Sequence, residues 1–370
     1  MKFTCEKSAL VNAVSVASRT VAQKSTIPAL EGIYIRAGVK LTLSGYNLET
    51  GITISVDADI QQTGACIMPS RLFFDIIRKL PDDTVSISVD EKFKVSIRGG
   101  ISSFSITAMS SEDYPELPEV ESDKGISLPQ NELKAMIGGT SFAVSENQAR
   151  PIHTGCLFEV EDSSITVVAV DGYRLALRRW KSEEPIGRTL KFVVPAAALK
   201  EAEKILGDTD EACTFFLGSK HILFTIGEAT LVCRLLEGEF LDWRRVLPQN
   251  QPVKLAVNVA KMTDSIERVG LIISEKLKSP VRCKFGENTA DFRSVSTIGE
   301  AHDVCQIAGD GQDMEIGFNC RYLLDALRAI PDAECSLELI NGLSPIVMNP
   351  CDGSERYSYM VLPVRLKAGE

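Results

Sequence analysis

Residues 73–81 read Phe-Phe-Asp-Ile-Ile-Arg-Lys-Leu-Pro, and residues 323–331 read Leu-Leu-Asp-Ala-Leu-Arg-Ala-Ile-Pro. At an offset of 250, Asp lies over Asp, Arg over Arg and Pro over Pro. Midway between them, at an offset of 126, comes Leu199-Lys-Glu-Ala-Glu-Lys-Ile-Leu206-Gly207. In all three, an apolar i, i+3, i+4 stripe runs into Pro or Gly, which is an amphipathic helix followed by its stop signal. Short apolar approaches precede each one: Cys66-Ile67-Met68-Pro69, Phe192-Val193-Val194-Pro195 and Glu315-Ile316-Gly317-Phe318. Pro near a first helical position suits a helix N-terminus.

The flanks repeat as well. A second amphipathic segment lies upstream in each copy, near 6–21, 130–144 and 259–273, followed by a loop holding Pro28, Pro151 or Pro280. Alternating segments such as 51–58, 164–170, 84–89 and 93–97 read as strands. Each copy is therefore helix, strands, helix, strands, an α+β plan written three times. Division of 370 residues by three gives about 123, a common domain size. Polar, Pro-flanked stretches at Glu119–Lys124 and Pro248–Pro252 place the boundaries, giving domains at 1–121, 126–247 and 252–370. Linkers this short favour strand pairing that continues from one domain into the next over independent beads.

Composition narrows the function. Forty Lys+Arg against fifty Asp+Glu leave a net charge of −10, which argues against a generally basic, nucleic-acid-binding surface but permits a local basic patch. No apolar run approaches the roughly 18 residues of a membrane span, and the start has no apolar signal core. The ten cysteines are scattered with no C-x-x-C, so they read as reduced core thiols of a cytoplasmic protein. A search for chemistry finds no phosphate loop, dinucleotide fingerprint, nucleophile elbow or H-E-x-x-H. The three histidines, His153, His221 and His302, lack ligand spacing, so neither a metal nor a cofactor is expected.

The repeated helix separates its faces. Leu72, Phe73, Ile76, Ile77 and Leu80 form the expected buried stripe, while Arg71, Asp75 and Arg78 share the opposite side. Arg321, Asp325 and Arg328 occupy the same positions in the third copy, and Ala197, Glu201 and Lys204 in the second. A cation thus recurs at 78, 204 and 328. The simplest reading is a solvated face laced with ion pairs. The sharper one is a set of helices presenting cations to duplex DNA, held by its phosphates without base readout. On the residues alone, an enzyme or a ligand-binding scaffold with an inter-domain site also stands.

Five landmarks carry a resemblance: Met1-Lys-Phe-Thr, Asp171-Gly-Tyr-Arg-Leu-Ala, Asp242-Trp-Arg-Arg-Val-Leu-Pro248, Glu315-Ile-Gly-Phe-Asn319 and Leu362-Pro-Val-Arg-Leu366. In this order, over essentially the whole chain, they closely resemble the bacterial sliding clamps, the beta subunits of DNA polymerase III. The resemblance implies three like clamp domains per chain and a head-to-tail homodimer whose six domains form a ring around double-stranded DNA. It implies a non-catalytic processivity subunit of the DNA polymerase III holoenzyme. Its partners would be the catalytic polymerase subunit, the clamp loader and repair proteins, all bound through short linear peptides. It also carries over a peptide pocket, by position. One part would come from the Asp-Gly segment: Val170, Gly172, Tyr173, Arg174 and Leu175. Leu241, Arg245, Val246, Leu277, Asn319, Tyr322, Leu343 and Pro345 would add further walls. The terminal segment would complete it with Met360, Leu362, Pro363, Val364, Arg365 and Leu366. For DNA, the family's loop contacts fall on Lys24, Asn147, Gln148 and Arg150, joining Arg71, Arg78, Lys204, Arg321 and Arg328. The dimer seam would join Phe104 and Ile106 to Leu271 and Ile272 of a second copy. This chain departs from the family pattern at His153, usually Leu, at Leu241, often Pro, in the basic-poor Ala196–Ala198 and in the Lys367–Glu370 tail.

Overall fold

The computed structural model describes residues 1–121, 124–273 and 279–366. Leu277 of the expected pocket and the Lys367–Glu370 tail lie outside the described residues. The first domain runs β1 (Lys2–Glu6), α1 (Lys7–Ser18), β2 (Gly32–Ala37), β3 (Leu41–Tyr46), β4 (Thr50–Val56), β5 (Asp59–Gln62), β6 (Gly64–Pro69), α2 (Ser70–Lys79), β7 (Thr84–Val89), β8 (Lys94–Gly99) and β9 (Ser102–Thr107). The second repeats the order with β10 (Ile126–Pro129), α3 (Gln130–Gly138), β11 (Gly155–Glu161), β12 (Ser164–Val170), β13 (Arg174–Lys181), β14 (Leu190–Pro195), α4 (Ala196–Ile205), β15 (Ala212–Leu217), β16 (His221–Ile226) and β17 (Ala229–Arg234). The third has β18 (Val253–Asn258), α5 (Val259–Gly270), the long pair β19 (Val281–Ser296) and β20 (Gly299–Phe318), α6 (Cys320–Arg328), β21 (Glu334–Leu339), β22 (Ile346–Pro350) and β23 (Tyr357–Val361).

All strand pairing is antiparallel, and it ignores the domain boundaries. One sheet belongs to the first domain alone, in the order β5-β1-β7-β8-β9. A second runs β10-β15-β16-β17-β4-β3-β2-β6, with β17 of the central domain paired to β4 of the first from Ala229↔Ile54 to Cys233↔Thr50. The third runs β14-β11-β12-β13-β23-β22-β21-β18-β20-β19, joined where β13 pairs with β23 from Arg174↔Val361 to Arg178↔Tyr357. The chain consequently divides into two compact units. Met1–Lys134 with 197–235 holds the first two sheets, and 135–196 with the residues from Leu236 onward holds the third. The central domain contributes to both.

Helices cover the sheets because their apolar stripes have nowhere else to go. On α2, Phe73, Ile76 and Ile77 are buried, and on α6 Leu323, Ala326 and Leu327. Removing each Phe, Ile or Leu side chain among them from water contributes about 1.5–3 kcal/mol. Leu72 corrects the expected stripe, for it is 49 % exposed. It sits about 100° around the helix from Phe73, at the margin of the buried arc. In the first unit α1 lies so close to β3 that a Cβ on Gly45 would come 2.0 Å from the carbonyl oxygen of Ala17. Side-chain caps start α5 and α6: Asn258 accepts from the Lys261 N–H (3.0 Å) and Asn319 from that of Tyr322 (3.3 Å).

The cysteines follow the same logic. Eight are buried, Cys320 is half-buried and Cys351 is exposed. Burial pushes the Cys5, Cys66, Cys213, Cys233 and Cys335 thiols up to about 12, so they stay protonated and unreactive. Native protein titrated with a thiol reagent at pH 8 should show one rapidly reacting group, Cys351, then a slower one, Cys320. The other eight should react only after denaturation. Five or more rapid equivalents in the native state would contradict this packing.

Candidate functional site

The Asp171-Gly-Tyr-Arg segment turns the chain from β12 into β13. Gly172 takes φ +92, a left-handed backbone that favours glycine. Asp171 shapes the turn, its Oδ1 accepting from the backbone N–H of Tyr173 (2.8 Å) and Arg174 (3.0 Å). The terminal strand β23 lies between β13 and β22, inside the sheet and not at its edge. The residues after it are stitched down on both sides, Leu362 donating to the Tyr173 carbonyl (2.8 Å) and Val364 to that of Gly317 (2.8 Å). The terminal segment therefore lies against both the Asp-Gly turn and the approach to α6.

Arg174 is the electrostatic centre of this junction, and it is buried at 7 % exposure. Its Nε donates to Asp171 Oδ2 (2.9 Å), Nη1 to Asp325 Oδ2 (2.6 Å) and Nη2 to the Phe142 carbonyl (2.6 Å). The guanidinium also lies 4.3 Å over the Tyr322 ring, which stacks with the exposed Tyr173. Both carboxylates thereby share one guanidinium, and the turn, α6 and the segment around Phe142 share one anchor. The donors of Arg174 are engaged inside the protein, whereas Arg245 and Arg365 are exposed.

Beneath lies an apolar cluster of Leu157, Val168, Val170, Leu175, Leu177, Val193, Phe240, Trp243, Val347 and Met360, with Val246 and Leu362 packed on it. Tyr173, Leu241, Leu343 and Val364 are 38–81 % exposed. Gly172 is exposed, and Asn319, Tyr322, Pro345, Pro363 and Leu366 are half-buried. The ring of His153 meets Phe240 edge-on at 4.9 Å, and burial with nearby Arg150 lowers its pKa, leaving a neutral imidazole at pH 7. Sequence reasoning missed Phe240, Trp243, Asp171 and Asp325 as parts of this region. The signal available for Trp243 was that a buried indole N–H needs an acceptor.

The recurring cations are exposed and ion-paired, two within their own helix turn and Arg328 to a residue of the neighbouring α5. Arg78 pairs with Asp75 (3.6 Å), Lys204 with Glu201 (2.7 Å) and Arg328 with Glu267 (2.7 Å), while Arg321 stands 3.9 Å from Asp325. All four basic side chains are more than half exposed, so each pair contributes only about 0–1 kcal/mol and is open to exchange with another anion. Lys24, Arg71, Gln148 and Arg150 are exposed, and Asn147 caps a local turn through its Oδ1 to the Ala149 N–H (2.9 Å). Between α5 and α6 a cleft of about 700 Å³ collects Leu271, Asn319, Arg321, Tyr322 and Arg328. Phe104 and Ile106 lie on β9, an edge strand, with Phe104 39 % exposed. Leu271, just beyond α5, is 83 % exposed, and Ile272 beside it is half-buried. Replacing Arg174 by Met should take from Asp171 and Asp325 their shared guanidinium and cost about 2–4 kcal/mol, below the full buried-pair range because Asp325 is 23 % exposed and keeps Arg321 nearby. Urea denaturation would read this, and a loss under ~0.5 kcal/mol, the size of an ordinary surface change, would remove Arg174 from its central place.

Comparison with known proteins agrees along the entire chain. Models of the DNA polymerase III beta subunit match its N-terminal domain at residues 1–118, its central domain at 127–242 and its C-terminal domain at 244–365. The beta sliding clamp of Staphylococcus epidermidis is 32 % identical over 381 residues, covering 99 % of both chains. That of Staphylococcus aureus is 30 % identical over 378, again covering 99 % of both. Among solved structures, the DNA polymerase sliding clamp of Bacillus subtilis superposes with a TM-score of 0.93 at 30 % identity, covering 99 % of this chain and 100 % of that one. The DNA polymerase III subunit beta of Pseudomonas aeruginosa gives 0.92 at 28 %, with the same coverage. Matched in all three domains and along its whole length, the chain belongs to the DNA polymerase III beta subunit family, the beta sliding clamps.

Proposed function

We propose that the chain is a DNA sliding clamp, a processivity factor that encircles duplex DNA and tethers the replicative polymerase, the clamp loader and repair proteins. The observation that carries this reading is the match of all three domains, in order and end to end, to sliding clamps. The domains are taken as 1–121, 126–247 and 252–370, and two copies close head to tail into a six-domain ring. Support for the seam comes from the edge strands β9 and β19, which leave backbone donors and acceptors unpaired on one side, and from the exposed Phe104 and Leu271.

The ring slides because its DNA contacts are electrostatic and indifferent to sequence. Arg71, Arg78, Lys204, Arg321 and Arg328, with Lys24, Asn147, Gln148 and Arg150 in loops, meet phosphates and exchange them readily, since the competing internal ion pairs are weak. The central domain grips less, its α4 starting with Ala196–Ala198. The apolar surface around Val170, Leu175, Leu241, Val246, Met360 and Leu362 takes extended peptides, with Arg245, Arg365 and Asn319 at hand for backbone or carboxylate groups. His153 and Leu241 bias which peptide fits best. No covalent step and no cofactor are needed, and the protein works in the cytoplasm, where the chromosome is copied.

Sedimentation equilibrium tests the seam. A species of about 81 kDa, twice the 40.4 kDa chain, is expected at micromolar concentration, and a monomer would count against the ring. Deleting Leu362–Leu366 tests the pocket. It should abolish binding of a fluorescent polymerase-tail peptide while the dimer persists, and an unchanged affinity would remove the assignment.

A further inference from the structure

The landmark Asp242-Trp-Arg-Arg-Val carries two residues that the pocket reading leaves without a part, Trp243 and Arg244. They belong to a 3-10 turn at Trp243–Arg245, closed by Arg245 N–H to the Asp242 carbonyl (3.2 Å) and by Val246 N–H to that of Trp243 (3.1 Å). The turn thus joins the pocket residues Leu241, Arg245 and Val246 to one buried indole, 6 % exposed.

What holds the indole is a carboxylate from the sheet below. Glu159 of β11 is itself 6 % exposed. Its Oε2 accepts from Trp243 Nε1 (3.0 Å) and Arg244 Nη1 (2.8 Å), and its Oε1 meets Lys191 Nζ (3.2 Å) from the neighbouring β14. The Arg244 guanidinium lies 4.3 Å over the Trp243 ring and also reaches Glu161 (3.2 Å), so it locks the ring from its face. Burial raises the pKa of Glu159, but the hydrogen bonds from Trp243, Arg244 and Lys191 outweigh it and hold the carboxyl below its ordinary range. An anion this buried is strongly directional. It fixes the ring plane and with it the turn.

We infer that Glu159 is a positioning residue for the peptide pocket, setting the wall of Leu241, Arg245 and Val246 through the Trp243 indole without itself touching the peptide. The inference rests on the pocket reading above. Peptide binding by full-length protein, measured by fluorescence anisotropy at 25 °C, tests it in a Trp180→Phe background, where Trp243 is the single tryptophan. Glu159→Met keeps bulk and removes the acceptor. It should weaken the polymerase-tail peptide about tenfold, the equivalent of one charge-assisted hydrogen bond, and shift Trp243 emission to the red. Glu159→Gln keeps an oxygen for the indole and Arg244 and displaces only the half-exposed Lys191, so it should bind within about twofold of the parent. Trp243→Phe, which deletes the N–H and keeps an aromatic ring, should lose affinity in the same direction as Glu159→Met. Leu362→Asp serves as the control for the pocket itself. If it abolishes binding while Glu159→Met and Trp243→Phe bind like the parent, the inference falls and the pocket stands. If Leu362→Asp binds normally, the pocket reading has failed.

Discussion

A strand edge presents backbone N–H and C=O groups that must be bonded or wetted. In this protein the edges left by one domain are closed by the next. β4 of the first domain is met by β17 of the central one, and β13 of the central domain by β23 of the third. The resulting eight- and ten-stranded sheets each draw strands from two domains, although each domain follows the same plan of two helices separated by strands. The proposed pocket depends on this. Since β23 is clasped between β13 and β22, the residues that follow it are carried past the Asp171-Gly172 turn and the approach to α6.

Two buried charged groups then refine what the sheet places. Arg174 ties the turn to α6 and supports the Tyr322 ring, and Glu159 ties the 3-10 turn to β11. Both are satisfied at every polar end, which is what makes them tolerable in an apolar setting. The basic helix faces obey the opposite rule. Their ion pairs are exposed, loose and individually weak, and the chain as a whole is acidic. In the proposed function, the strong internal bonds would hold a peptide site rigid, and the weak external ones would let the helix faces exchange phosphates.

Much of the fold was legible because it was written three times. The Asp, Arg and Pro shared by 73–81 and 323–331 locate α2 and α6, and the shorter likeness at 199–207 locates α4. Leu72 was misread because a stripe drawn by spacing alone gives no width to the buried arc. The short linkers pointed to pairing across domains, yet which strand meets which is a long-range choice that local pattern does not carry. The same limit hid the core of the site. Asp325 reads as the partner of Arg321 four residues away, whereas its shorter bond is to Arg174, 151 residues distant. Nothing in the local pattern singles out Glu159, whose partners Trp243 and Arg244 lie 84 and 85 residues away. Position in the family supplied the expected pocket residues, but Asp171, Asp325 and Glu159 were not among them.

The central claim is that the protein holds DNA by enclosing it, with contacts too weak and too general to hold it otherwise. Retention on DNA of two topologies is the direct test. After loading onto nicked circular DNA and gel filtration in moderate salt, the protein should stay with the circle and be lost once a single cut makes the DNA linear. Equal retention on circular and linear DNA would contradict the account.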